Sequence, residues 1–352
     1  MGNLRAYSAM TTKIRAMMSK LLTDEQYEEI ASLGSVTELM TYLKRIEAYE
    51  KLFADMPADE IHRENAEWML HFSAYNDYEK LYAFADRDQR IFLRFYFTKF
   101  EIFGLKRCIR RIFDAREYQI YSFGNHSLFG TKTSLPAKEL AGAADMDEFC
   151  SLLRGSIYHS CVKKVNELEN PGLFDYQAAL DLFYFSHMWE QKDKLFKGND
   201  LAHVKKSYGT KIDLLNIMWI YRCKSYYSLD ASKIYSYIIP IRCRLKPAQL
   251  KAMIEAEDEK AFDAAYFSTD YAKKYRLKTG SSEIEAEKMY NSLMDGLYRS
   301  DFKNNPYSPA AIDTYFYLKE LETSRIVTAA ECIRYGYPPE KTLKLIKGKG
   351  VS

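Results

Sequence analysis

Residues 315–338 read YFYLKELETSRIVTAAECIRYGYP, and the first half of this stretch has two counterparts upstream. In each, a tyrosine is followed by an apolar residue four positions later, an acid at five and an aliphatic residue at nine. The three sets are Tyr96, Phe100, Glu101 and Leu105; Tyr208, Ile212, Asp213 and Ile217; and Tyr317, Leu321, Glu322 and Ile326. They recur at intervals of roughly 110 residues, and a fixed internal period decides the architecture of a chain. A second frame recurs at a similar interval, pairing Leu43 with Tyr49, Leu152 with Tyr158 and, more loosely, Lys260 with Tyr266. The chain is therefore read as three related helical units, residues 1–130, 131–230 and 231–352.

The units are expected to be all-α. Leu4, Tyr7, Met10, Ile14, Met17, Met18 and Leu21 recur at three and four, one apolar stripe of a helix. Thr23 with Gln26, and Ser35 with Glu38, have the spacing of capping boxes. Pro57 is expected at a helix start, with residues 58–85 as one long helix burying Ile61, Trp68, Phe72, Tyr75, Leu81, Tyr82 and Phe84. The segment IFLRFYFTKFEIFGLKRCIRRIF (91–113) is apolar nearly all round and belongs at the centre of its unit. Residues 121–136 shift to Gly, Ser, Asn and Thr, which marks a loop and the first boundary. Long helices over 173–196 and 202–228, a short apolar step at 237–241 and a turn and cap at 279–284 carry the order onward.

Composition narrows the functional classes. Apolar residues make up 47% and charged residues 28% of 352, with only 9 Pro, so the chain is globular and rich in long helices. A net charge of +3 is too mild to imply a nucleic-acid partner, and the local basic cluster Lys106, Arg107, Arg110 and Arg111 reads as a solvated helix face. The six cysteines form no CxxC and stand near no His at ligand spacing, which suggests half-buried core thiols rather than a zinc site or disulfides. No cofactor is indicated, since GNHSLFG (124–130) lacks the contiguous Gly-Lys-Ser/Thr of a phosphate loop. With no apolar run long enough to span a bilayer and no signal-peptide core, a cytoplasmic chain is expected.

PAAIDTYFYLKELETSRI (309–326), followed by GYPPE (336–340), resembles the C-terminal signature of the C subunits of the bacterial and archaeal V/A-type ATPases, equivalent to the eukaryotic d subunit. Lys319, Glu320 and Glu322 match its Lys-Glu-x-Glu step, and Ser324 and Arg325 stand at its Asn-Leu-Arg. FEIFGLK (100–106) with Arg110 is similar to the family's Tyr-Asp-x-x-Asn-Leu-Lys, Gly104 replacing Asn, and DLLN (213–216), with Arg222 and Lys224 downstream, is the closest copy. The helix over residues 7–22 is also similar to the family's opening helix. The resemblance implies three similar helical domains arranged as a funnel around a central cavity, peripheral to the membrane on the cytoplasmic face of the proteolipid ring. The cavity would receive the central shaft, and the protein would couple it to the ring without catalysis of its own.

Glu101, Asp213 and Glu322 are the candidate residues, together with Asn216, Arg222 and Arg325. Each acid lies in an apolar helix, where a charge must be paired, so capping by tyrosine hydroxyls, backbone donors or a neighbouring base is the first expectation and partner contact the second. Asp213 with Asn216, and Glu322 with Arg325, share a helix face at i,i+3. Catalysis would require the three acids to converge in one cleft. The six histidines share no spacing and receive no role. The alternative function is a generic helical-repeat scaffold for soluble proteins.

Overall fold

The computed structural model describes residues 2–53, 63–114, 129, 132–274 and 283–348. Pro57, Ile61, most of the 121–136 loop and the cap expected from residue 281 lie outside them. Among the described residues every element is a helix and no strand occurs.

The helices follow one order three times. After α1 (Gly2–Met18), three short helices, α2 (Asp24–Ala31), α3 (Val36–Lys44) and α4 (Glu47–Glu50), precede the long pair α5 (Arg63–Phe84) and α6 (Arg87–Asp114). Three more short ones, α7 (Ala137–Gly142), α8 (Met146–Leu152) and α9 (His159–Asn166), precede the long α10 (Leu173–Leu195) and α11 (Gly198–Ser225). Then α12 (Ala231–Tyr237), α13 (Pro247–Glu255) and α14 (Glu259–Phe267) lead to α15 (Glu283–Asn304) and α16 (Pro309–Arg334), and α17 (Pro339–Gly348) ends the order. The second member of each long pair begins at Arg87, Gly198 or Pro309, at equal intervals.

Local chemistry sets these boundaries. Thr23 and Gln26 form the expected reciprocal box at the start of α2. At α3 only half of the expected box forms: Ser35 accepts from Glu38 N–H, while the Glu38 carboxylate reaches past the cap to Gly34 N–H at 2.8 Å. Helix α16 starts on Ser308 with Pro309 behind it, and stops where Gly336 turns left-handed at φ +65° while Gly336 and Tyr337 N–H return to Ile333 and Cys332 carbonyls. Phe84 at the end of α5 and Leu4 near the start of α1 are about half exposed, contrary to the stripes that place them inside. Helix ends pass beyond the neighbour that covers the rest of the face.

The six long helices pack in succession: α5 on α6, α6 on α10, α10 on α11, α11 on α15, α15 on α16, and α16 back on α5. The short helices pack on the same long ones, α7 on α6, α9 on α10, and α12 and α13 on α11. The first group reaches across the whole chain, with α1, α2 and α3 packed on α16 and α17 on α2. One apolar core accordingly takes in both chain ends, from Tyr7 and Met10 to Ile346, while a second joins Leu214 and Ile217 of α11 to α13, α14 and Met289 of α15. All six thiols are free, and Cys243, expected inside, is exposed on the non-helical step after α12.

Candidate functional site

Each acid of the first sequence frame is buried, and each is bonded to a short-helix group. Glu101 on α6 accepts from Thr133 Oγ1 and Tyr158 Oη, both at 2.6 Å. Burial pushes its carboxyl up, against the pull of those two hydroxyls. Asp213 on α11 is fully inaccessible and takes the backbone N–H groups of Cys243, Arg244 and Leu245 at 3.0, 2.6 and 3.1 Å, with Tyr271 Oη at 2.8 Å. Asn216, one turn on, exchanges two bonds with the backbone of Ile239 at 2.8 and 2.9 Å. The non-helical step at 239–245 therefore has its backbone groups satisfied by one face of α11. Glu322 on α16 accepts from Leu22 N–H and Tyr49 Oη, and pairs with Lys319 at 2.8 Å, each partner about 3% exposed.

Two of the three phenols, Tyr49 and Tyr158, are the tyrosines of the second sequence frame. The third is Tyr271, not Tyr266. Arg325 lies over the Tyr27 ring at 5.3 Å, and Glu322 makes its ion pair with Lys319, one turn before it, rather than with Arg325, one turn after. Arg222 is half-buried near the end of α11, where its carbonyl accepts from Tyr226 N–H. Among the described residues the three acids occupy separate networks with no partner in common.

Sequence reasoning passed over a second constellation where α6, α11 and α16 approach one another. Asp313, fully buried on α16, accepts from Tyr96 Oη of α6, from Ser207 Oγ at 3.3 Å, and bonds His203 Nε2 at 2.8 Å. His203 Nδ1 lies 3.6 Å from Asp301, whose carboxylate also pairs with Lys206. Burial disfavours the imidazolium, but the two carboxylates beside it, Asp301 and the hydrogen-bonded Asp313, outweigh it and raise the His203 pKa to about 9. Tyr96 is the first residue of the repeated frame, the one sequence signal that pointed here.

Further along the same helices lies a charged recess. Lys99 of α6 pairs with Glu320 of α16, and Lys106 with Asp181 of α10 at 2.5 Å. Protein surrounds Lys99 closely enough for desolvation to lower its pKa, and yet 36% of its side chain and 33% of that of Glu320 stay accessible. For Glu320 burial is outweighed by Lys99 and Lys211, which hold the carboxyl below its usual range. Its charge is felt on every other long helix: by His71 on α5, Lys99 on α6, Tyr184 on α10, Lys211 on α11 and Tyr290 on α15. Among the described residues no cluster of His, Cys, Asp and Glu is arranged to hold a metal ion.

Residues 10–345 match the family described as ATP synthase (C/AC39) subunit. Among similar proteins, the C subunit of the A-type ATP synthase of Methanosphaera stadtmanae is 21% identical over 96% of this chain and 86% of its own length. The C subunit of the A-type ATP synthase of Pyrococcus abyssi is 25% identical over 97% of this chain and 90% of its own, and that of Methanothermobacter thermautotrophicus 21% over 97% and 88%.

Proposed function

Because the chain belongs to the ATP synthase (C/AC39) subunit family, we propose that it is the non-catalytic central-stalk part of a V/A-type ATPase, coupling the rotating shaft to the membrane proteolipid ring. One observation supports this beyond membership: the charge of Glu320 on α16 interacts with groups on the five other long helices while a third of its side chain stays exposed. A hollow ringed by close-packed helices is what a socket for a shaft requires, and such packing transmits strain with little compression. In this reading the three units form a funnel whose cavity receives the shaft end.

The units are proposed as residues 1–130, 131–230 and 231–352, tied together by their acids. Glu101 reaches Thr133 and Tyr158 of the second unit, Asp213 reaches the 243–271 segment of the third, and Glu322 returns to Leu22 and Tyr49 of the first. Each unit is thus latched to the next, and the last to the first, as a torque-bearing collar demands. No helix among the described residues is long and apolar enough to cross a membrane, in keeping with a protein peripheral to it whose partners are the shaft proteins and the proteolipid ring.

Deleting this protein from the assembled enzyme is expected to leave ATP hydrolysis by the soluble sector and to abolish ATP-driven proton or sodium pumping. Intact pumping would sink the proposal. Co-purification with soluble proteins unrelated to the ATPase would instead favour a general scaffold.

A further inference from the structure

A cavity of about 370 Å³ opens between the last turn of α11 and the start of α14. It lies about four helical turns along α11 from Ser207 and the buried Asp313 junction. Tyr221 and Phe262 stand in its wall with ring centroids 5.6 Å apart, alongside Glu257, Glu259, Asp263 and Lys224. Two of the polar groups are already engaged. Lys224 Nζ donates to the Ala256 carbonyl at 2.6 Å, and Asp258, also in the wall, caps α14 by accepting from Ala261 N–H at 2.7 Å.

Asp263 is different. The residue is 6% exposed, and its Oδ2 is buried with no hydrogen-bond partner among the described residues. A buried carboxylate oxygen without a donor is costly, and natural proteins leave few of them. Its place in a cavity wall supplies the missing donor's route. The negative carbonyl end of α11 is set against the positive amide end of α14, which Asp258 caps, so the balance rests on the acids, which outnumber the one lysine, whose ammonium is occupied.

A ligand suited to this wall carries positive charge, several N–H donors and a flat face to lie against the two aromatic rings. An ammonium has no such face, and phosphate or carboxylate would meet repulsion. We infer that the cavity is a guanidinium-binding pocket, taking the arginine side chain of a protein partner with Asp263 Oδ2 as its acceptor.

Titration of the full-length chain with N-acetyl-L-argininamide, followed through amide resonances of residues 221–229 and 256–263, tests this directly. Saturable shifts are expected, weakened about tenfold by Asp263→Asn and absent with neutral N-acetyl-L-citrullinamide. Should Asp263→Asn fail to melt cooperatively, Glu257→Gln at the exposed rim serves in its place, with about a twofold to fivefold loss expected. The pocket is not a guanidinium site if no saturable shift occurs, if the citrulline or lysine amide binds equally well, or if neither variant weakens binding.

Discussion

Asp213 receives four donors, three of them backbone N–H groups that cannot reverse their polarity. Asp213→Asn would turn an NH₂ toward at least one of them, and Asp213→Ala would strand them all. A loss of about 1–3 kcal/mol is expected for the amide variant, read as a lower denaturation midpoint. Glu101 makes the informative contrast, because its donors are hydroxyls that can also accept, and because burial already opposes its charge. Glu101→Gln should therefore cost less than about 1 kcal/mol at neutral pH; equal losses in the two variants would contradict the donor argument. His203 supplies a pH signature. Its folded pKa of about 9 exceeds the unfolded value, so its stabilisation is complete below about pH 6.5 and is lost as pH rises through about 9. Urea midpoints for the wild type should fall between pH 6 and pH 10 relative to those of His203→Gln, by up to about 3 kcal/mol. The sequence exposed the acids but not this cluster. Glu101, Asp213 and Glu322 announce themselves by repeating, whereas His203, Asp301 and Asp313 are brought together only by three helices meeting, and no spacing along the chain encodes that.

Helices were the most legible level, since their caps and stripes are local. The long apolar segment 91–113 falls inside α6, and the short apolar step expected at 237–241 becomes the non-helical stretch that Asp213 and Asn216 hold. What could not be read is how closely elements approach. Gly209 sits in the interior of α11, where glycine costs about 1 kcal/mol relative to alanine. A Cβ there would come within 2.7 Å of the Cys243 side chain and 3.3 Å of Trp189, so the glycine is what lets the 239–245 step lie against α11. Gly209→Ala is expected to destabilise by roughly 1–3 kcal/mol despite its better helix propensity. Gly296, in α15, has nothing within 4 Å of the same atom, and Gly296→Ala should stabilise by up to about 1 kcal/mol. Thermal melts of the two single variants should shift in opposite directions, and a gain from both would refute the close-approach account.

At the scale of the whole chain, the repeat frames suggest three units but not how a chain of them would close. The period lies in the sequence, while closure depends on a contact between segments some 270 residues apart, Tyr49 Oη on Glu322. Helix α16 is the element most exposed to its failure. Its buried face is covered in part by α1, α2 and α3, and one of its buried charged pairs, Lys319 with Glu322, borrows the Tyr49 hydroxyl and Leu22 N–H. Removing residues 1–53 would uncover that face and leave a buried ion pair short of its donors, a loss that grows with desolvation. A chain of independent consecutive units would instead lose only its first unit and keep α16 intact. Hydrogen exchange separates the two outcomes: with closure, amides of Pro309–Arg334 lose protection along with α5 and the melt broadens; without it, α16 stays as protected as in the full chain. The first outcome is expected, because α1, α2 and α3 pack directly on α16, and α17, its other short neighbour, itself packs on α2.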